Sequence, residues 1–373
     1  MADRYYFDAV VIGSGVIGLS IALDLQLQGK KVLLVEKNNF SSEETSSRNS
    51  GVIHSGIYYP KNSLKKTFCI RGNELLYKFC KENNVLYSKT GKLIVSNEGE
   101  EGALMSIYEN GIENGLSDEI ELVDGDNVRL MEPNLSKNIT KGIHVKSTGI
   151  VDQPALCEKL QFMFENNGGQ LTLNTSFYNY SCEESYHISC LDTRGEKFEI
   201  KSKDLILCAG LHSWKAGSVI EKINNSSYLK EVKYVKGHYF KLNNSNPPFK
   251  KLIYPIPNEL GLGIHYTLDI NNYGKFGPDT VIVDELNYGF NEDLKRKFFY
   301  EIAKYFPSIK IEDLSEDYTG IRPKLNLEKK FHDFSILESQ DHGIENLIFL
   351  QGFESPGLTS SLAISEHVVG RLG

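Results

Sequence analysis

The sequence predicts an α/β fold in two interleaved parts: a nucleotide-binding part of parallel strands and helices, and a second part built on a mixed or antiparallel sheet. Three observations predict it. Short apolar runs ending in glycine, the pattern of buried parallel strands, recur at the start, middle and end of the chain, as DAVVIG (8–13), DLILCAG (204–210) and the closing NLIFLQG. Residues about 230–285 alternate apolar and polar positions among frequent Gly, Pro and Asn, which suits antiparallel strands. At 373 residues the chain also exceeds one ordinary core.

The first run leads into GSGVIG, where Gly13, Gly15 and Gly18 match GxGxxG. A helical pattern follows to about Gln28, Gly29 suits its C-terminal cap, and a second strand, KVLLVE, ends in Glu36. Glycines there permit a tight turn, close approach of backbone N–H groups to a pyrophosphate, and close helix–strand packing. The positive end of the helix favours phosphate charge. Glu36 stands where a carboxylate can accept from ribose hydroxyls, and it would repel a 2′-phosphate. Strand, turn, helix and acid in this order are the context a Rossmann-type dinucleotide site requires.

Both FAD and NAD use this fingerprint. No second GxGxxG is present; GLGIH at 261–265 lacks the last glycine and no helical pattern follows it. That argues against a flavoprotein reduced by NAD(P)H and leaves the substrate as the electron source. After Glu36 the chain runs into SSRNSGVIHSGIYYP (46–60), a loop of Ser and Gly that also carries Arg48, His54, Tyr58 and Tyr59. Next come a helical pattern in LKKTFCIRGNELLYKFCKENNV, a strand in GKLIVSN and a helical segment near 100–115. A turn and helix in TGIVDQPALCEKLQFMFENNGG close at Gly168 and Gly169, and the chain ends with a glycine-containing turn and a last helix.

Composition narrows the function. The residues are 40% hydrophobic and 24% charged, as in soluble globular proteins. A net charge of -8 without a basic run argues against nucleic acid as a partner. The six cysteines, Cys69, Cys80, Cys157, Cys182, Cys190 and Cys208, show no metal-ligand spacing, so no metal is expected and reduced thiols are. The apolar stretch at the start is short, broken by Gly and Ser, and preceded by Asp3 and Asp8, which fits neither a membrane span nor a signal peptide. The expectation is a cytoplasmic protein without an integral membrane segment, with peripheral membrane association left open.

The motifs RNSGVIHSGIYYP, GKLIV, STGIVD, YPIP, GIRPK, DFSI and SPGLTSSLAI, in this order from about residue 7 to 370, resemble the D-amino-acid-oxidase-like FAD oxidoreductases. Within them the chain is most similar to the L-2-hydroxyglutarate dehydrogenase/oxidase group. Its closing turn departs from the Pro-Ala-Ala type that those members tend to carry. The resemblance implies an FAD-binding domain assembled from residues 1–90, 148–215 and 319–373, with a substrate domain from 91–147 and 216–318. It implies FAD as cofactor and oxidation of a small 2-hydroxy acid, 2-hydroxyglutarate or a near relative, to the 2-oxo acid. The electron acceptor, oxygen or a quinone, stays open. So do two rival readings, an amine or amino-acid oxidase on the same fold and a subunit that binds FAD without catalysis.

Oxidising a hydroxy acid needs a base for the hydroxyl proton, a cation for the carboxylate, and stabilisation of negative charge on the reduced flavin. His54 and His265 are the candidate bases, because an imidazole accepts a proton at neutral pH. His54 could instead contact the flavin, and His265 could be an ordinary strand histidine. Arg322 in TGIRPK is the candidate carboxylate clamp, since its planar fork matches a carboxylate. Tyr58 is a candidate substrate donor. Arg71 and Lys92 could neutralise a second carboxylate, though both lie on elements where surface charge is common. The resemblance places Ser46, Ser47 and Arg48 near pyrophosphate or ribitol. Gly210, and Gly357, Leu358, Thr359 and Ser360 at the start of the last helix, join the cofactor set, the helix offering unpaired N–H groups to the flavin.

Overall fold

The computed structural model describes residues 6–220, 228–243, 246–257, 263–325 and 331–372. The chain divides into two compact units. One comprises Met1–Ser47, Gln153–Tyr234 and Arg322–Gly373; the other comprises Arg48–Asp152 and Val235–Ile321.

In the first unit the strand Tyr6–Ile12 lies at the centre of a sheet, parallel to Val32–Val35 on one side and to Lys197–Leu207 on the other. Gln170–Thr172 extends the parallel layer beyond Val32–Val35, and Leu347–Gln351 extends it beyond Lys197–Leu207. Five residues of the first strand are buried on both faces, which is why it reads as a continuous apolar run and not as an alternation. The helix Val16–Leu27 is equally apolar all round, because it is covered all round: it packs against its own sheet, against Gln153–Asn166 and against Gly357–Val369. Ser365 on the last helix donates to Asp24 on the first at 2.5 Å. The core of this unit gathers Val10, Leu33, Tyr186, Leu205 and Phe349.

The second unit is built on a mixed sheet. Lys92–Asn97 runs parallel to Leu252–Pro255 and antiparallel to Ile139–Val145, and Ile120–Asp124 adds beside the latter. On the far side Tyr266–Leu268, Gly274–Phe276, Lys233–Leu242 and Val281–Val283 follow, with Leu314–Lys324 also paired to Lys233–Leu242. A small second sheet joins Val52–Ile53, Gly149–Val151 and Tyr87–Ser88. The aromatic residues of region 230–285 and of the following helix Lys295–Ala303 pack together, Phe240 at 4.6 Å from Phe298 and Phe249 at 5.1 Å from Tyr266. The expected strand through GLGIHYT begins at Tyr266, one residue after His265; Gly261 and Leu262 of that stretch lie outside the described residues.

Among the described residues no helix is long and apolar enough to cross a membrane.

Candidate functional site

The glycine turn of the first unit is shaped by backbone, not by side chains. A Cβ on Gly13, whose φ is +101°, would stand 2.5 Å from the Cys208 carbonyl oxygen, and one on Gly18 would overlap the Gly13 carbonyl. These two glycines let strand, turn and helix close on one another. Gly15 is different. It caps the first helix without a side-chain bond, has an ordinary φ of -65°, and a Cβ there would meet only the Ser46 hydroxyl, at 3.0 Å. Ser46 Oγ accepts from the N–H of Val16 at 3.0 Å, so the Ser-rich loop after the second strand reaches back to the helix start.

Glu36 is buried at the mouth of this turn. One of its oxygens accepts from both the N–H and the hydroxyl of Ser14, each at 2.9 Å, and the other accepts from the N–H of Asn38 at 2.9 Å. A carboxylate has about four acceptor sites, so one stays available for a hydroxyl. Ser47 turns its hydroxyl back to the Glu43 and Glu44 carbonyls, at 2.8 and 3.0 Å. Glu44 is held at about pKa 2: burial would raise it, but hydrogen bonds from His212 and Lys37 outweigh that. Gly210, with φ +49°, opens a short helical turn after the middle strand, and a side chain there would meet open space.

The helix Gly357–Val369 starts beside the first helix, the Gly357 Cβ position lying 3.7 Å from Ile17. No side chain caps it. Leu358 is half-buried, whereas Thr359, Ser360 and Ser361 are buried, and the hydroxyls of Ser360 and Ser361 have no partner among the described residues. Buried polar atoms are normally paired. An uncapped helix start, orphaned hydroxyls, a glycine turn open at Gly15 and a carboxylate with spare acceptor capacity are together the donor and acceptor set that a dinucleotide satisfies. The residues present fit such a cofactor.

The second unit carries the histidines. The helix Leu64–Asn83 begins at Ser63, whose hydroxyl accepts from the N–H of Lys66, and its buried Asn73 donates to the carbonyls of His54 at 2.9 Å and Ser147 at 3.0 Å. Asn110 donates to the Ile57 and Tyr59 carbonyls at 2.6 and 3.1 Å, and Asn114 to that of Tyr59 at 2.8 Å. The loop 46–60 is therefore fixed from His54 onward by side-chain amides. Gly56, at φ +90°, comes within reach of Ile70, so the backbone passes where no side chain would fit.

His54 and Tyr58 are deeply set yet keep partial exposure. Between Tyr58 and Tyr254 lies the ammonium of Lys92, 4.7 Å from one ring centre and 4.8 Å from the other. Tyr254 in turn stacks on His265, ring centres 3.5 Å apart and 15° from parallel. The structure thus brings His54, Tyr58 and His265 together through two residues, Lys92 and Tyr254. Burial first, and the charge of Lys92 second, push His54 down to about pKa 3, so its imidazole is neutral at physiological pH. Burial holds the Tyr58 and Tyr254 phenols above their ordinary values and thus protonated.

The remaining candidates are placed as follows. The guanidinium of Arg48 lies 4.1 Å over the Tyr288 ring and donates to the Thr319 carbonyl at 3.3 Å. Arg322 is half-buried on the strand Leu314–Lys324, where a Cβ on Gly320 would overlap the Arg48 carbonyl. Arg71 is a surface residue, 3.5 Å from Glu74 one helical turn away. Sequence reasoning passed over Tyr254, Asn73, Asn110 and Asn114. The one signal for Asn73 is a polar amide on the apolar face of a helix, and Tyr254 stood inside the quoted YPIP without a role.

The FAD dependent oxidoreductase family, DAO, matches residues 8–371. The chain is 37% identical over 404 residues to L-2-hydroxyglutarate dehydrogenase, mitochondrial, of Arabidopsis thaliana, covering 98% of this chain and 83% of that protein. It is 30% identical to L-2-hydroxyglutarate dehydrogenase of Indibacter alkaliphilus, covering 97% and 98%. Among solved structures it superposes on the FAD-bound L-alpha-glycerophosphate oxidase of Mycoplasma pneumoniae with a TM-score of 0.88 and 25% identity, covering 98% and 94%. Glycine oxidase of Geobacillus kaustophilus, with a TM-score of 0.83 and 16% identity over 99% and 95%, shares the fold. This chain belongs to the DAO family of FAD-dependent oxidoreductases.

Proposed function

We propose that this enzyme oxidises L-2-hydroxyglutarate, or a close relative, to the corresponding 2-oxo acid. The observation that carries the reading is the partly exposed His54, whose backbone is held by Asn73 and whose imidazole stands within the field of the Lys92 charge. A neutral amine gives up its hydride without an enzyme base, whereas a hydroxyl must lose its proton as the hydride leaves, so a placed base favours the hydroxy acid. The relatives named L-2-hydroxyglutarate dehydrogenase support the same substrate class.

FAD, when bound, accepts the hydride from substrate C2. Gly13, Gly15 and Gly18, with Ser46, Ser47 and Arg48, would hold its phosphates and the chain beside them, and Glu36 its ribose. Gly210, Leu358 and the N–H groups and hydroxyls at Gly357, Thr359 and Ser360 would face the ring. In this reading residues 1–90, 148–215 and 319–373 form the cofactor domain, and 91–147 and 216–318 the substrate domain. His54 takes the hydroxyl proton, with His265 as the second candidate, and the Tyr58 phenol donates to substrate. Arg322 clamps the carboxylate beside the reacting carbon by two parallel hydrogen bonds. An anion entering beside Lys92 cancels part of the positive field on His54 and raises its proton affinity, so the base strengthens as substrate binds. The acceptor of the electrons is oxygen or a quinone. A cytoplasmic location is part of the proposal, set against the Arabidopsis relative named mitochondrial, and cell fractionation decides it.

The test is steady-state dye reduction by the purified holoenzyme with L-2-hydroxyglutarate, L-glutamate and glycerol 3-phosphate. The proposal expects the hydroxy acid to give the highest kcat/KM. Faster turnover of glutamate makes the protein an amino-acid oxidase, and silence with every substrate makes it a binding subunit.

A further inference from the structure

We propose that Lys92 anchors a second anionic group of the substrate, the far carboxylate of a 2-hydroxy dicarboxylic acid. The inference rests on the reading of the substrate as a 2-hydroxy acid and extends it to the other end of the molecule.

Lys92 opens the strand Lys92–Asn97 and is 1% exposed, a lysine inside the mixed-sheet unit. Its ammonium touches the Tyr58 and Tyr254 rings and makes no hydrogen bond or ion pair with the protein among the described residues. The neighbouring titratable groups are His54 and Cys69, on which its charge acts, the two tyrosines, and His265 stacked behind Tyr254. None is a carboxylate. Other lysines differ: buried Lys236 donates to the Gly289 carbonyl, and half-buried Lys30 pairs with Asp204 at 3.1 Å. Taking an ammonium out of water costs more than two ring faces return, unless an anion completes the site. Burial accordingly pulls Lys92 down to about pKa 7. A cation kept inside without a counter-ion among the described residues, beside a partly exposed histidine, is a site whose counter-ion arrives with the ligand. The two rings add selectivity: they flank the ammonium with apolar faces, so a ligand of the same length without a terminal charge leaves the cation unpaired. Arg71, the other cation in reach of this argument from sequence, is more than half exposed and already beside Glu74.

The test uses the holoenzyme and its Lys92→Met variant. Calorimetry measures binding of glutarate and of pentanoate, five-carbon acids with two carboxylates and one, neither of which can react. Kinetics compare L-2-hydroxyglutarate with 2-hydroxypentanoate. Wild type should prefer the dicarboxylate in both assays, and Lys92→Met should cut that preference at least tenfold. An equal loss for both acids, or an unchanged preference, overturns the proposal. If the variant does not fold, wild type decides. The protonated amine binds the anion, so the glutarate-to-pentanoate affinity ratio should be highest near pH 6 and fall as rising pH takes the proton from Lys92, whose affinity for it burial lowers; a ratio that rises with pH overturns the anchor. Glutarate selectivity that depends on Lys92, in an enzyme that oxidises neither hydroxy acid, upholds the anchor and refutes the reaction. Turnover of L-2-hydroxyglutarate with selectivity intact in Lys92→Met does the reverse.

Discussion

Gly15→Val separates the glycine the cofactor needs from the glycines the chain needs. At Gly13 and Gly18 a side chain collides with backbone, so substitution there damages the fold. At Gly15 the backbone is extended, with φ -65° and ψ 172°, which valine adopts without strain. The Cβ would stand 3.0 Å from Ser46 Oγ, the end of a short side chain that can rotate away. The variant then loses one hydrogen bond, from the Val16 N–H to Ser46, worth about 0.5–1.5 kcal/mol. For a domain of 150–250 residues that is a fall in Tm of roughly 2–4 °C per kcal/mol. The same branched side chain occupies the space over the helix start where a pyrophosphate must approach the N–H groups. The expected variant is folded and colourless, read by the ratio of flavin to protein absorbance, with the Tm of the flavin-free form within about 6 °C of flavin-free wild type. A variant as yellow as wild type refutes the assignment of the cradle, and one that unfolds shows that the turn needs Gly15 for itself.

Arg322→Lys should raise the KM for the best hydroxy acid about tenfold or more at normal flavin content, because an ammonium cannot reproduce a bidentate fork and a charged hydrogen bond is worth about 1.5–3 kcal/mol; an unchanged KM removes Arg322 from the site. His54→Ala should keep the yellow colour and slow anaerobic flavin reduction by about 10²–10⁴-fold, the usual worth of a general base. If reduction stays fast while flavin is lost, His54 is a cofactor contact and His265 takes its place in the same assay. Asp279→Ala strips the partner from both the N–H and the Nδ1 of buried His238, at 2.8 and 2.9 Å, and should destabilise the mixed-sheet unit by about 1–3 kcal/mol for each buried group left unpaired, in denaturant unfolding. A loss below 1 kcal/mol would show that the pair is relaxed by water.

The fold was legible where burial writes itself into one contiguous stretch. The first strand, its turn and its helix could be read residue by residue, because two-sided burial leaves an apolar run and the tight turn leaves glycines. Glu36 was legible for the same reason, since its distance from the turn is fixed by one helix and one strand. The histidine cluster was legible only in part. His54 stood out as a lone imidazole among serines and glycines, but what holds its loop is Asn73, Asn110 and Asn114 on two helices, far away in sequence. Lys92 stood beside Arg71 as a possible partner for a second carboxylate with nothing to separate the two: a lysine opening a strand is ordinarily a solvated charge, and only the pairing of Lys92–Asn97 with a strand on each side turns it inward. Tyr254 and His265 meet because Leu252–Pro255 and Tyr266–Leu268 are antiparallel neighbours, a register that the alternating pattern of 230–285 does not specify.

The central claim, a hydroxy acid oxidised by hydride loss from C2, is tested most directly by a single turnover. The holoenzyme is mixed without oxygen with one equivalent of L-2-hydroxyglutarate per flavin, and bleaching and 2-oxo acid are followed together. The account predicts that the flavin bleaches fully, that one 2-oxoglutarate forms per flavin, and that L-glutamate under the same conditions leaves the colour unchanged. A flavin that stays yellow with the hydroxy acid and bleaches with glutamate would contradict it.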